Sequence, residues 1–402
     1  MENSERLHTL DAVRALALLL GVFLHAAMSF VPGLGAVGWP IVDHASSAAL
    51  GALFFAIHTF RMTLFFAVAG YFAHMLFHRQ GAKGFWANRA KRVLAPLLVF
   101  WPLVLAAIGA ALYLASVKSG TPLLAPKPAP GTVLPFPLTH LWFLYVLLGL
   151  YILLLAARWL VLALPVQARA LPLLIDALVA RLCATPMAPA ILALPVALAL
   201  YAHPHWHAWT GISTPDNSLL PNAPAVVAFW VALCFGWLLR RQLNGLDQLS
   251  RHALLHGLVA LALTGACLAS VGLTMNNAEV SGWHRAGYAL GYAVAGWCWT
   301  FAIIGAAQRF WSTPSPWRRY LADASYWIYL VHLPLVFVLQ AEVADWPAHW
   351  AVKFPLVLGI AMLLLLLSYH LLVRSTWLGA WLNGRRHMRK AILGVSRHEG
   401  SP

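Results

Sequence analysis

Charge is what this sequence has least of. Only 10% of its 402 residues are Asp, Glu, Lys or Arg, and the acidic ones number 12. A soluble domain carries about a quarter charged residues to clothe its surface, so a water-soluble enzyme is excluded. A disordered chain, which needs high charge and low hydrophobicity, is excluded for the same reason. Cysteine is also scarce. Cys183, Cys234, Cys267 and Cys298 all lie in or beside apolar runs, without metal-ligand spacing or a loop setting suited to disulfides. That rules out a secreted disulfide scaffold and leaves the four as small core hydrophobes. There is no phosphate loop, nucleophile elbow or internal repeat. Glu2, Glu5 and Arg6 precede the first apolar run, which has no small-residue cleavage site, so no removable signal peptide is expected.

What the chain has is apolar length. Hydrophobic residues make up 61% of it, Trp occurs 19 times, and the mean hydropathy is +0.74. A bilayer span takes about 20 largely apolar residues. Ten windows qualify as candidates: 10–31, 47–76, 93–115, 138–157, 187–202, 223–239, 253–274, 286–308, 320–340 and 350–373. The second is long enough to tilt or break, and the fifth is weakened by Pro186, Pro189 and Pro195. The expected fold is therefore all-α, a polytopic membrane protein of about ten transmembrane helices. Residues 120–137 are Pro-rich and read as an extended loop. Residues 169–184 read as an amphipathic helix lying at the membrane interface.

The 27 basic residues, against 12 acidic ones, give a net charge of +15. A basic balance of that size can signal nucleic acid, but its distribution points elsewhere. Twenty-one of the basic residues fall in the N-terminal segment, alternate loops and the C-terminal tail on one side of the membrane. Four lie on the other side (Lys118, Lys127, Arg285 and Lys353), and Arg14 and Arg61 sit inside apolar runs. This positive-inside pattern predicts cytoplasmic N- and C-termini. Nucleic acid is not expected as a partner. The expected organisation is a transmembrane domain over 1–373 followed by a basic cytoplasmic tail over 374–402.

Ionisable groups inside a span cost several kcal/mol unless paired or hydrated, which makes them functional candidates. In the first span Arg14 and His25 are 11 residues apart. Eleven helical steps make three turns plus about 20°, so the two share a face, separated by about 16 Å along the axis. A cation three turns from an imidazole suits a ligand that is anionic at one end and reactive at the other. Snorkelling of Arg14 to the lipid headgroups is the plainer alternative. His58 and Arg61 lie in the second span, followed by FFAVAGYF with Tyr71. Arg89 and Arg92 stand at i, i+3 where a basic loop enters the third span, an arrangement whose bidentate forks suit phosphate. The fourth span opens HLWFLYVLLGLY with His140 and Trp142. The ninth reads ASYWIYLVHLPLV, which puts Ser325, Tyr329 and His332 at i, i+4, i+7 on one face. Such a polar stripe faces a bundle interior. The loop sequence HPHWH (203–207) has neither Cys nor carboxylate beside it, and no metal site is expected there.

Together these segments resemble the acyltransferase 3 family of membrane-bound acyltransferases. The resemblance rests on Arg14-x10-His25, on Arg89-x-x-Arg92, on FFAVAGY and on the HLWFLYVLLGLY and ASYWIYLVHLPLV segments. The last two look most like the branch that succinylates osmoregulated periplasmic glucans. The resemblance implies a bacterial inner-membrane enzyme. It would transfer an acyl group, succinyl in that branch, from cytoplasmic acyl-CoA to hydroxyls of a periplasmic glucan or another glycan. Arg14, Arg89 and Arg92 would hold the CoA phosphates, and His25 would act as general base. Arg61, Tyr71, His140, Trp142, Ser325, Tyr329 and His332 would position the acyl group or the acceptor. Arg61 is the candidate cation for a succinyl carboxylate. No tightly bound cofactor is implied; acyl-CoA is a substrate. The expected partners are acyl-CoA, the glycan and the lipid bilayer, with self-association left open. No carboxylate stands at a spacing suited to orient His25, so a backbone carbonyl, His140 or His58 is left for that role. An O-acetyltransferase of another surface polysaccharide is the nearest alternative. A transporter or flippase is the rival class, weakened by the absence of inverted repeats and the scarcity of acidic residues in the spans.

Overall fold

The computed structural model describes residues 2–120, 134–163, 171–204, 206–242, 244–276 and 279–384. Most of the Pro-rich stretch, the first two residues of the expected interfacial helix and the tail from 385 onward lie outside these residues. Among the described residues every element is helical, apart from two isolated β-bridges, Pro135 with Ser218 and His207 with Glu279. A helix is what such a sequence must form in a bilayer, because lipid offers backbone N–H and C=O groups no partner. The helices are α1 (Glu2–Ala27), α2 (Ala48–Arg89), α3 (Ala95–Ser119), α4 (Trp142–Ala163), α5 (Leu171–Ala184), α6 (Ala188–Ala202) and α7 (Ala223–Leu239). They continue with α8 (Gly245–Arg251), α9 (Ala253–Val271), α10 (Gly282–Phe310), α11 (Pro316–Val343), α12 (Trp350–Ser368) and α13 (Trp377–Asn383).

Each of the ten expected windows contains a helix, but not every helix is a full span. Among the described residues, seven helical segments are long and apolar enough to cross a membrane, or eight if the bent pair α5–α6 is one span. One of the seven, Ala48–Ser119, is 72 residues long and holds two of the expected windows. It breaks at Gly81, whose φ of 68° and ψ of 179° are open to a residue without Cβ. The helices of the fifth and sixth windows, α6 and α7, have 15 and 17 residues, fewer than a straight crossing takes. Pro186 separates α5 from α6, since proline cannot continue the helix before it, and the chain bends by 112° between the two halves.

The bundle is built around α1, α2, α10 and α11. Helix α1 packs against α11, α2, α10 and α12; α2 packs against α7; and α10 packs against α9, α6 and α8. Small residues let backbones approach: a Cβ on Gly236 of α7 would lie 1.7 Å from the Ala67 carbonyl oxygen of α2. The peripheral helices turn leucines outward, among them Leu98 and Leu103 on α3, Leu258 and Leu261 on α9, and Leu363 and Leu367 on α12. Cys183, Cys267 and Cys298 are buried, Cys234 is half-buried, and all four are free thiols. Residues 377–384, expected as part of a tail, pack back on the bundle: Trp381 donates to the Lys91 carbonyl at 2.9 Å and Asn383 to that of Asp323 at 2.9 Å.

At the end of the bundle where α1 stops, two segments are held by polar contacts. The segment between α1 and α2 is anchored by Asp43. Its carboxylate oxygens lie 3.0 and 2.9 Å from the Lys353 ammonium of α12, and both side chains are 1% exposed. Lys353 also donates to the Ala344 carbonyl, and Asp43 Oδ1 accepts the Ala45 N–H. The second segment lies between α6 and α7 and pairs with residues 134–139. Phe136 N–H donates to Asn217 O, Thr139 N–H to Asp216 O and Leu219 N–H to Leu134 O. This strap runs directly into His140. Burial of Asp216 pushes its carboxyl up to about 6, opposed by hydrogen bonds from its own N–H and from Thr214.

Two stability predictions follow from these anchors. Lys353→Met or Asp43→Leu alone strands a buried charge and should cost about 3–5 kcal/mol, whereas the double variant should recover most of the loss. Thermal unfolding of the detergent-purified protein checks this, and single variants as stable as wild type would contradict it. Asp216 holds its proton more tightly folded than unfolded, so its contribution is full below about pH 4 and is lost as pH rises through about 6. Wild-type Tm should therefore fall relative to Asp216→Asn between about pH 4 and pH 6, with a constant gap above that. A variant less stable than wild type at pH 7.5 would instead reveal a partner for the carboxylate.

Candidate functional site

Helix α1 is continuous from Glu2 to Ala27, so Arg14 near its middle and His25 in its last turn share one helix, about 16 Å apart. His25 lies in its last turn, half-buried. Around it the fold gathers two further imidazoles from distant parts of the chain. His332 of α11 is 5.2 Å away and His140, at the foot of α4, is 6.5 Å away, between ring centroids. His140 and His332 are themselves 4.8 Å apart.

Backbone carbonyls decide the tautomers, because a carbonyl can only accept. His332 Nδ1–H donates to Tyr329 O at 2.8 Å and Ile328 O at 3.2 Å. His140 Nε2–H donates to Leu330 O at 3.3 Å. In the neutral rings the remaining nitrogens, His332 Nε2 and His140 Nδ1, are then bare lone pairs. Both are buried without a hydrogen-bond partner among the described residues, as is His25 Nδ1. Buried polar atoms are nearly always partnered. Three unpartnered imidazole nitrogens in one cluster have the donor and acceptor capacity to take up a proton or a hydroxyl.

Arg61 of α2 supplies the charge beside them. It is an electrostatic neighbour of His25, His58, His140 and His332, and of Tyr329. Its Nε is buried and unpartnered. The guanidinium lies over Gly21 of α1, where a Cβ would come within 2.6 Å of Nη1. His58 stacks on Phe54 at 5.7 Å, and its polar neighbours are the backbones of Thr210 and Ile212. The anchored segment between α1 and α2 adds Trp39, stacked 6.0 Å from His25 and 4.9 Å from Phe337. Gln340 of α11 donates to the carbonyls of His25 and Ala26 at 2.7 and 3.3 Å, which fixes the end of α1.

The other end of the bundle is basic. Arg14 pairs with Asp11 at 3.1 Å and lies 5.5 Å from the Phe72 ring; the ion pair is solvent-exposed, hence weak and displaceable. Arg89 donates to Asn88 at 2.8 Å and lies over Phe85 and Tyr151. Its Nε is buried and unpartnered. Arg92 is within electrostatic reach of both Arg89 and Arg14 and rests against Gly384. Between Arg89 and α3 the chain makes a π-helical turn, Ala90–Leu94, a feature frequent at functional sites. Side chains take up carbonyls in this turn: Tyr326 donates to Arg92 O at 2.7 Å and Trp381 to Lys91 O.

Tyr326 also begins a ladder along α11 that joins the two ends. It stacks on Tyr329 at 6.4 Å, and Tyr329 lies 5.6 Å from His140 and 6.4 Å from His332. The Tyr329 hydroxyl donates to His140 O at 2.9 Å.

Of the residues selected from sequence, His25, Arg61, His140, Tyr329 and His332 come together, and Arg14, Arg89 and Arg92 form the basic group. Three others go elsewhere. Ser325 is fully buried and bonds back to Ala322 O at 3.0 Å, a common fate of serine within a helix. Trp142 packs against Phe229 and Phe143 in the aromatic core. Tyr71 lies under Arg240 at the basic end. Sequence reasoning passed over Trp39, Gln340, Tyr326 and Gly21. Gln340 had a signal, being an uncharged polar residue two turns beyond His332 in an apolar run. Tyr326 is one position from the residue chosen for the stripe. Trp39 and Gly21 had none, because their roles depend on tertiary contact.

The family described as an acyltransferase domain, acyltransferase 3, matches residues 7–370. Glucans biosynthesis protein C of Salmonella typhimurium is 34% identical over 146 residues, 36% of this chain and 36% of that protein. The protein of the same name from Escherichia coli K12 is 33% identical over 146 residues, 36% of this chain and 37% of that protein. The aligned stretch thus spans little more than a third of these relatives. No solved structure matches the chain. With its family match running from within α1 through α12, and with the first-span arginine and histidine three turns apart on one helix, the chain belongs to the acyltransferase 3 family of membrane acyltransferases.

Proposed function

We propose that the protein transfers an acyl group from acyl-CoA, bound at the basic end, to a hydroxyl of a glycan entering at the histidine end. The observation that carries this reading is the cluster of His25, His140 and His332, with three unpartnered nitrogens, set three helical turns from Arg14 on the same helix. In the reaction the acceptor oxygen bonds to the thioester carbonyl carbon and the carbon–sulfur bond breaks. The hydroxyl proton passes to the His25 imidazole and from there to the departing thiolate. His140 and His332 lie within the cluster as further acceptors for the sugar hydroxyl. Arg14, Arg89 and Arg92 meet the phosphates of CoA, and the pantetheine arm runs along Tyr326 and Tyr329.

Succinyl is the proposed acyl group, and a periplasmic glucan the proposed acceptor. The names of the relatives support the glucan. The position of Arg61, a buried cation beside the imidazoles with a free Nε, supports a donor that carries its own carboxylate. The charge asymmetry of the loops supports a bacterial inner membrane with both termini in the cytoplasm.

His25→Ala should abolish transfer of labelled acyl groups from acyl-CoA to glycan without lowering expression, and full activity in that variant would sink the mechanism. Arg61→Gln should slow succinyl transfer by at least about tenfold, the scale of one lost charge-assisted contact, while sparing acetyl transfer; equal loss on both donors would remove the carboxylate role. Mass spectrometry of glycans from a deletion strain separates the classes. Loss of succinyl fits the proposal, loss of acetyl replaces the donor, and unmodified chemistry with mislocalised glycan indicates a transporter.

A further inference from the structure

A second group of cations stands at the basic end, away from Arg14, Arg89 and Arg92. Arg158 lies in the second half of α4, Arg240 and Arg241 follow α7, and His74 and His78 lie one turn apart on α2. The two imidazoles are 4.2 Å apart, against the Trp237 ring at 4.9 and 6.1 Å. All three arginines lie within electrostatic reach of both. Arg158 lies 5.1 Å from the Phe77 ring and Arg240 lies 5.6 Å from that of Tyr71.

Loop charges that only set orientation have no reason to converge, since like charges a few ångströms apart repel. Here five groups converge from three helices. Among the described residues the carboxylate ion-paired with them is Asp176, and it takes Arg241, at 2.5 Å. Arg158 and Arg240 are laid on aromatic rings, which hold a guanidinium in place and leave its edges open for an anion. The location also fits phosphate. Tyr151, which lies under Arg89, and Arg158 are seven residues apart on α4, which puts them on one face about 10 Å apart.

We propose that Arg158 and Arg240, with Arg241, His74 and His78 around them, form a second phosphate-binding site about two helical turns from the first. Its ligand is a phosphate monoester or diester, carried either by the nucleotide part of the donor or by the headgroup of an anionic phospholipid. Only the first source rests on the donor being acyl-CoA.

The test uses the full-length protein in a neutral detergent and phosphate-free buffer, as wild type and as Arg158→Gln/Arg240→Gln. Each is titrated with CoA and with 3′-dephospho-CoA, and retained phospholipid is counted by native mass spectrometry. If the nucleotide supplies the phosphate, wild type prefers CoA by about tenfold and the variant loses the preference. If lipid supplies it, wild type retains phosphatidylglycerol that the variant releases, with CoA binding unchanged. A variant matching wild type in both readouts overturns the site, and so does a wild type with neither preference nor retained lipid. A wild type that binds no CoA but whose variant releases lipid contradicts the acyl donor and upholds the site. Should the glutamine pair not fold, Arg158→Lys/Arg240→Lys keeps the charge, lacks the guanidinium fork and should weaken the same readouts by about threefold.

Discussion

The structure depends on a constraint set by its solvent. Lipid cannot satisfy a polar group, so each imidazole or guanidinium inside the bundle must be met by protein or kept free for a ligand. The bundle meets one nitrogen of His332 and one of His140 with backbone carbonyls and leaves the other bare. That division fixes each ring's orientation and protonation pattern in a single contact. Arg61 obeys the same rule, with α1 yielding space at Gly21 and the guanidinium Nε left open.

The elements around the imidazoles hold them in register. His25 belongs to α1, whose final carbonyls are held by Gln340. His140 follows the strap joined to residues 216–219. Trp39 reaches His25 from a segment pinned by the Asp43–Lys353 pair, a costly contact to bury unless both charges are fully met, as they are here. Three polar anchors at one end thus support the one cluster, while the opposite end is arranged around arginines on aromatic rings. The ladder from Tyr326 to His332 on α11 is the physical link between them.

Much of this was legible in the sequence. Apolar length located the helices of the ten windows but not α8 or α13, and the 11-residue spacing put Arg14 and His25 on one face because both residues share one unbroken helix. Local periodicity reached Tyr329 and His332 for the same reason. It failed at Ser325, whose hydroxyl found a carbonyl one turn back, and at Trp142, whose ring serves the core. The shortness of α6 and α7 was legible too, since windows 187–202 and 223–239 fall short of the length of a straight span and the first of them is interrupted by proline. What brings His25, His140 and His332 within reach of one another is tertiary packing among α1, α4 and α11. No spacing along the chain encodes that meeting. The convergence of Arg158 and Arg240 was hidden likewise, because in sequence they read as ordinary loop charges.

The central claim is that chemistry joins two sides of a membrane at the imidazole cluster. Oriented proteoliposomes with glucan trapped inside and labelled acyl-CoA added outside test it most directly. The account predicts labelled ester on the trapped glucan, with free CoA released on the outside and neither substrate crossing. Label appearing only when donor and glucan share one side, or unmodified glucan crossing the bilayer, would contradict it.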